Sequence, residues 1–306
     1  LKVLVTGGAG FIGSHVADAL IEQGHTVIVV DDLSTGKAEF VNPQARFYQL
    51  DIRSPELAEV LDRERPELIN HHAAHADVRR SVTDPRHDAD VNILGSLNLL
   101  ECARQHGATK FVYASTGGAI YGEPVYLPCD ENHPLNPICP YGVSKLTVER
   151  YLSYYGHAYG LQYTILRYPN VYGPRQDPTG EGGVVAIFAR RMLLGEQVII
   201  NGTGDQQRDF LYVSDVVRAN ILAQDHFGGQ IYNLGTGLGT SVNDLFALMA
   251  DKTGYGAGPT HGPPKAGETF KIYLDATKAR HELNWQPETS LDEGLSRTII
   301  SFRSPN

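Results

Sequence analysis

The stretch VTGGAGFIGSH, Val5 to His15, follows an apolar run and opens an amphipathic segment, with Gly7, Gly10 and Gly13 recurring every third residue around Phe11 and Ile12. Residues without side chains at a strand-to-helix turn let backbone N–H groups approach a pyrophosphate at the positive end of a helix. A tight turn alone can demand such glycines, so the ligand reading rests on the residues downstream. The next strand-like run ends VIVVDDLSTGK, placing Asp31, with Asp32 beside it, about 20 residues on and within reach of adenine ribose hydroxyls. A carboxylate there repels a 2′-phosphate and favours NAD over NADP. The plainer role for Asp31 is a turn or helix cap, which Asp32 or Ser34 could equally supply.

Working outward, short β-rich runs alternate with amphipathic segments: KVLVT, a helix from Phe11, TVIVV, RFYQL, a helix from Pro55, ELINH, a long helix over 92–105, KFVYAS, a helix over 141–159, and YTILRY. The alternation predicts an α/β fold, a Rossmann-type doubly wound parallel sheet covered by helices on both faces, with right-handed crossovers. Beyond Asn170 the chain turns loop-rich and its elements mixed in length. We therefore expect residues 1–168 to form the dinucleotide-binding domain, with segments around 209–236 returning to it. Residues 169–208 and 237–306 should build a smaller interleaved α/β substrate lobe.

Composition narrows the function. With 42% apolar and 20% charged residues, the 306-residue chain can bury a full core. A net charge of −9 with no Lys/Arg block excludes a phosphate-backbone footprint, so nucleic acid is not the expected partner. Cys102, Cys129 and Cys139 match no zinc spacing and read as unpaired thiols of a reducing cytoplasm. The opening LKVLVTG lacks the regions of a secretory leader, and no run of 18 apolar residues occurs, so we expect no membrane partner. His71, His72 and His75 invite a metal reading, but they follow a strand without nearby Cys or an H-E-x-x-H pattern; no metal is expected.

The chemistry is concentrated in STGGAIYGEP, Ser115 to Pro124, and PYGVSK, Pro140 to Lys145. Tyr141 and Lys145 are four apart in a helical segment and project from one face. A phenol titrating near pH 10 is a poor base, but an adjacent ammonium and a cationic nicotinamide both favour its phenolate. Alone, YxxxK could be a mere helix-face contact. Together with GGAGFIGSH, DDLSTGK, LDIRS, HHAAHADVRRSVTDP, DVNILGSLNLLE, LRYPNVYGPRQDP, GTGDQQRDFLYVSDV and YNLGTG, it resembles the extended short-chain dehydrogenase/reductases that act on nucleotide sugars, and among them the UDP-glucose 4-epimerases.

The resemblance implies that Tyr141 is the acid/base and Lys145 its partner. The hydroxyl helper is Thr116, 25 residues before Tyr141, with Ser115 the alternative. Dehydratases of this superfamily carry an Asp-Glu pair directly after that hydroxyl; here stand Gly117 and Gly118, so a 4-keto intermediate is expected to take its hydride back. By the same resemblance Asp51 and Ile52 meet the adenine. Ala73, Ala74 and His75 line the phosphate and nicotinamide ribose side, with Asn92 and Tyr168 near the cofactor. Asn170, Val185, Ile199, Asn201 and Arg208 face the UDP-sugar, Arg208 as the pyrophosphate clamp unless it pairs with Asp209. Lys265 stands where the family has a second phosphate arginine, and Ala76 where some members have a lysine. Ile272 occupies the position whose bulk limits N-acetylated sugars, and isoleucine leaves both sugar classes open. A homodimer through the helices over 92–105 and 141–159 is implied as well. The rivals are a UDP-N-acetylglucosamine or UDP-glucuronate epimerase, or a decarboxylase, for which Arg79 or Arg175 would have to meet the carboxylate. A non-catalytic NAD sensor would usually lose the tyrosine or the lysine.

Overall fold

Alternating residues of one central strand decide the layering. In β1 (Lys2–Thr6), Val3 and Val5 point into one core while Leu4 points into the other, so the strand is buried on both faces. The computed structural model describes residues 1–179, 183–264 and 267–303. After β1 come α1 (Phe11–Glu22), β2 (Thr26–Asp31), β3 (Arg46–Gln49), α2 (Leu57–Glu64), β4 (Leu68–His71), α3 (Val78–Thr83), α4 (Pro85–Ala89), α5 (Gly95–His106), β5 (Lys110–Thr116), α6 (Pro140–Tyr159) and β6 (Gln162–Tyr168). Then follow β7 (Asn170–Tyr172), α7 (Val184–Leu193), β8 (Ile199–Asn201), β9 (Gln207–Arg208), β10 (Phe210–Tyr212), α8 (Val213–Leu222) and β11 (Gln230–Asn233). The chain closes with β12 (Thr240–Ser241), α9 (Val242–Thr253), β13 (Thr260–Gly262), β14 (Lys271–Ile272), α10 (Thr277–Glu282) and α11 (Leu291–Arg303).

The main sheet has seven strands in the order β11-β6-β5-β4-β1-β2-β3. Every pairing in it is parallel. Helices α1 and α8 cover one face with Val16, Leu20, Val216 and Ala219, and Trp285 seals it. On the other face α2, α5 and α6 contribute Leu61, Leu99, Leu100, Val148 and Leu152. A separate apolar cluster joins α7, α9 and α11 through Phe188, Leu245, Met249 and Ile299. The late strand β11 pairs with β6 and so extends the sheet begun by the first half of the chain.

One element departs from its sequence pattern. The expected long helix over 92–105 starts as a widened π-helical turn, Asp90–Leu94, before settling into α5. Asn92 sits in that turn and clamps the loop after β4: its Oδ1 accepts the His75 N–H at 2.8 Å, and its Nδ2 donates to the His75 carbonyl at 2.9 Å.

The layer between β5, β6 and α6 is polar at its centre. Arg167 donates to both oxygens of Glu149, at 3.0 and 2.7 Å, and to Tyr121 Oη at 2.9 Å, with both charged side chains buried. Removing one partner strands the other charge. Arg167→Met is therefore expected to lower unfolding stability by about 3–5 kcal/mol, read from the urea midpoint; an unchanged midpoint would mean Glu149 is neutralised by other means.

Candidate active site

All strands of a parallel sheet end on one side, and the loops that leave those ends form the site. At the end of β1, Gly7 has φ +68°, and an added Cβ would lie 2.7 Å from the backbone nitrogen of Ala73. A Cβ on Gly13 would collide with the Gly7 carbonyl, so helix α1 can approach the turn only with glycine there. Gly10 is hemmed only by that carbonyl, at 3.2 Å, and its other side is open. Phe11 and Ile12 begin α1.

The buried Asp31 carboxylate receives the Ala9 N–H at 3.0 Å and the Leu33 N–H at 2.9 Å. It therefore does act as the cap of its own turn and of the glycine loop. Each carboxylate oxygen keeps a further lone pair. Burial raises its pKa, the two N–H groups opposing. Asp32 instead accepts from the Ser34 N–H and hydroxyl in an exposed turn. Asp51 is held by Arg53, which also reaches Asp90. Ile52 packs its side chain into the core against Gly95, so what it can offer a ligand is backbone. The Ala73 N–H donates to Thr6 Oγ1, with Ala74 next along the same loop. Tyr168 stacks on His72 and accepts a hydrogen bond from Asn220. Among the described residues no group of three or more His, Cys, Asp or Glu side chains is placed to hold a metal. The His71 ring bonds Thr6 and Ser96 instead.

The chemical centre lies between β5 and the first turns of α6. Pro140 opens that helix and the Cys139 thiol accepts the Gly142 N–H, so Tyr141 and Lys145 face one way a turn apart. Buried Lys145 donates from Nζ to the Ala114 carbonyl at 2.8 Å, with Nζ 4.9 Å from the Tyr113 ring centre and 5.9 Å from that of Tyr141. Burial lowers the Lys145 pKa to about 8, against an opposing pull from Asp88 and Glu149. Burial likewise raises the Tyr141 phenol well above its ordinary value, while a hydrogen bond with Thr116 lowers it. Of the two hydroxyls the motif leaves open, Thr116 is the one near enough to influence the phenol. Ser115 points to the opposite side of the strand and donates to Glu149 at 2.6 Å.

The two glycines after Thr116 differ. A Cβ on Gly117 would collide with the buried Leu274 methyls, whereas one on Gly118 would lie 3.6 Å from Thr116 Oγ1 and 3.9 Å from Asn170 Oδ1, in ordinary contact. Beyond Asn170, a narrow cleft is lined by Gln176, Val185 and Phe210. Arg208 is part-buried and donates to the carbonyls of Gln207 and Phe270; its ion partner is Glu268 at 3.6 Å, not Asp209. Asp209 is occupied by the Thr236, Gly237 and Leu274 N–H groups and the Thr236 hydroxyl. Ile272, paired in register with Arg208, is buried among Ile120, Tyr121, Cys129 and Leu274. Asn201 and the half-exposed Ile199 lie on β8. Lys265 lies outside the described residues.

Residues 3–235 match the model of the NAD dependent epimerase/dehydratase family. The chain belongs to that family. It is 48% identical to a putative UDP-glucose 4-epimerase of Methanocaldococcus jannaschii over 304 residues, 99% of each protein. The UDP-glucose 4-epimerase of Thermotoga maritima, solved with UDP-glucose, superposes with a TM-score of 0.97 at 52% identity, and the Thermus thermophilus enzyme, solved with NAD, with 0.95 at 44%; each comparison covers 99% of both chains. The family's cofactor fits the residues present. The glycine turn admits no Cβ at Gly7 or Gly13 and only a tight one at Gly10, against the Gly7 carbonyl at 3.2 Å, while Asp31 retains acceptor capacity beside it.

Sequence reading missed Ser81, whose hydroxyl accepts the Tyr141 N–H at 3.2 Å, as well as Asp88, Glu149 and Leu274. Glu149, four residues after Lys145, could have been found from helical spacing alone; the others are brought in by tertiary structure. Gly117→Ala is expected to cost about 1–3 kcal/mol of stability through the clash with Leu274, and Gly118→Ala much less. Equal melting temperatures for the two variants would contradict this packing.

Proposed function

We propose that this chain interconverts UDP-glucose and UDP-galactose, with Tyr141 acting as base and then acid at the sugar's 4-oxygen. The observation that carries the reading is the meeting of phenol, Thr116 hydroxyl and Lys145 at the end of β5, beside glycines rather than carboxylates. When bound, NAD supplies the acceptor and later the donor of the carbon-4 hydride.

The residues' part is proton handling and orientation. Tyr141 takes the 4-hydroxyl proton; Thr116, beside the phenol, would orient it and share the proton. The Lys145 ammonium lowers the cost of phenolate and, with its remaining hydrogens, is placed to hold a ribose hydroxyl. Gly117 and Gly118 offer no group to protonate a leaving hydroxyl, so the ketone is returned to alcohol. Gly7, Gly10, Phe11, Ile12 and Gly13 would hold the pyrophosphate and Asp31 the ribose. Arg208 would grip the substrate's diphosphate, with Asn170, Val185, Ile199, Asn201 and Ile272 around the rest. This reading puts NAD on residues 1–168 with 209–236, and the UDP-sugar on 169–208 and 237–306.

Assembly and location follow the same proposal. Leu94, at the end of the π-helical turn leading into α5, and Val143, Tyr154 and Tyr159 on α6 are exposed large apolar residues, which supports a homodimer through this face. Among the described residues no helix is long and apolar enough to cross a membrane. The three cysteines are unpaired, in keeping with a cytoplasmic protein. Arg175 is engaged by Asp18 at 2.8 Å, which weighs against its serving a sugar carboxylate.

Incubation with UDP-galactose without added NAD, followed by the anomeric proton NMR signal, should yield UDP-glucose. Silence even with NAD added would overturn the reading, and UDP-N-acetylglucosamine and UDP-glucuronate in parallel tubes would show whether the sugar alone was wrong. Tyr141→Phe is expected to lower kcat by about 10²–10⁴-fold with NAD still bound; full activity would remove Tyr141 from the mechanism. Arg208→Ala should raise KM by about 10–100-fold, the loss of one charge-assisted hydrogen-bonding group; an unchanged KM would place the diphosphate elsewhere.

A further inference from the structure

Asp88, on α4, keeps only 1% of its surface exposed and belongs to none of the motifs above. Its Oδ2 accepts the hydroxyl of Ser144, the residue between Val143 and Lys145 on α6, and its Oδ1 accepts Asn92 Nδ2 at 3.0 Å. Both donors are neutral. Ser144 also donates towards the Pro140 carbonyl at 2.9 Å, so the carboxylate is fastened to the helical turn that presents Tyr141. Through Asn92 it is fastened equally to the His75 backbone, on the loop that follows β4. A buried carboxylate is costly, and side chains that merely joined two helices could be neutral at lower cost.

The charged and titratable groups facing it come from every neighbouring element. His75 Nδ1 lies 3.6 Å from Oδ1, and the His87 ring, next along α4, packs on His75 at 5.2 Å. Lys145, Tyr141, Cys139 and Tyr113 all feel its charge. The second buried carboxylate near Lys145, Glu149, is matched by Arg167. We propose that Asp88 is a positioning residue for the Tyr141/Lys145 pair, fixing the first turn of α6 through Ser144 and serving as the buried counter-charge that keeps Lys145 an ammonium. This rests on the proposed roles of Tyr141 and Lys145.

The sign is fixed by electrostatics. Removing the negative charge disfavours the ammonium and favours the phenolate, so both groups should titrate lower. The direct test is ¹³C NMR of protein labelled at the lysine ε-carbon, the Lys145 signal being assigned by its loss in Lys145→Met. In Asp88→Asn, which keeps the size of the side chain, the Lys145 midpoint should fall by about one pH unit, and kcat for UDP-galactose should drop with KM little changed. In Ser144→Ala, which breaks the tether but keeps the charge, the midpoint should stay while kcat falls. An unmoved midpoint in Asp88→Asn, or an equal shift in both variants, overturns the counter-charge. A loss of melting temperature with kcat and midpoint intact reduces Asp88 to a structural role. The titration needs no turnover, so a wild type silent on every UDP-sugar would refute the proposed function and leave the midpoint comparison standing.

Discussion

Lys145 is held by a short contact, its ammonium donating to the carbonyl of Ala114 two residues before Thr116. That bond crosses from α6 to β5 and sets how close the phenol one turn earlier can come to the strand end. With few groups to solvate it, the ammonium depends on that carbonyl and on the carboxylates around it, and its lowered pKa is the cost of the arrangement. The polar layer between α6, β5 and β6 serves the same geometry. Ser115 and Thr116 alternate across the strand, so the residue that holds β5 to Glu149 and the residue that meets Tyr141 are adjacent in sequence and opposite in direction.

Much of this was legible in the sequence because the determinants are local. Glycine spacing after an apolar strand, the acid at the end of the next strand and a four-residue Tyr-Lys interval all depend on periodicities that a fold cannot easily alter. The parallel sheet followed from continuous Val/Ile runs, which only burial on both faces explains. The π-helical turn at Asp90–Leu94 was not legible, since DVNIL differs little from an ordinary helical stretch and the widening accompanies a bond from Asn92 to a distant loop. Asp88, Ser81 and Leu274 were invisible for a similar reason: each acts on a segment far away in the chain. The rival pairing of Arg208 with Asp209 failed because neighbours on an extended strand point to opposite sides, which sends Asp209 to the 236–237 turn and Arg208 to Glu268.

Gly117 and Gly118 show why an absent side chain can be read as chemistry. Gly117 is glycine because Leu274 fills the space a Cβ would need, and Leu274 is fixed there by its own N–H to Asp209. The segment carrying Leu274 thus packs against the strand end and leaves no room for a carboxyl at 117. At Gly118 the space is open towards Thr116 and Asn170, so its emptiness is not imposed by packing. Open space beside the hydroxyl pair suits a site in which a sugar ring must present first one face and then the other.

If the proposed 4-keto intermediate is to take its hydride back on the other face, the sugar's far end must be anchored while the ring turns. Arg208 is part-buried and its pKa is lowered by that burial, the carboxylates of Glu268 and Glu123 offsetting part of the cost. A diphosphate carries more charge than either and can accept a guanidinium in two parallel hydrogen bonds, so ligand entry would relieve the arginine rather than compete with a strong internal pair at 3.6 Å. On the proposed reading the grip would fall on the part of the substrate that does not react, leaving the reacting ring to Tyr141 and Thr116. Binding energy placed there holds the nucleotide without favouring one face of the sugar, which a reaction running through both faces demands.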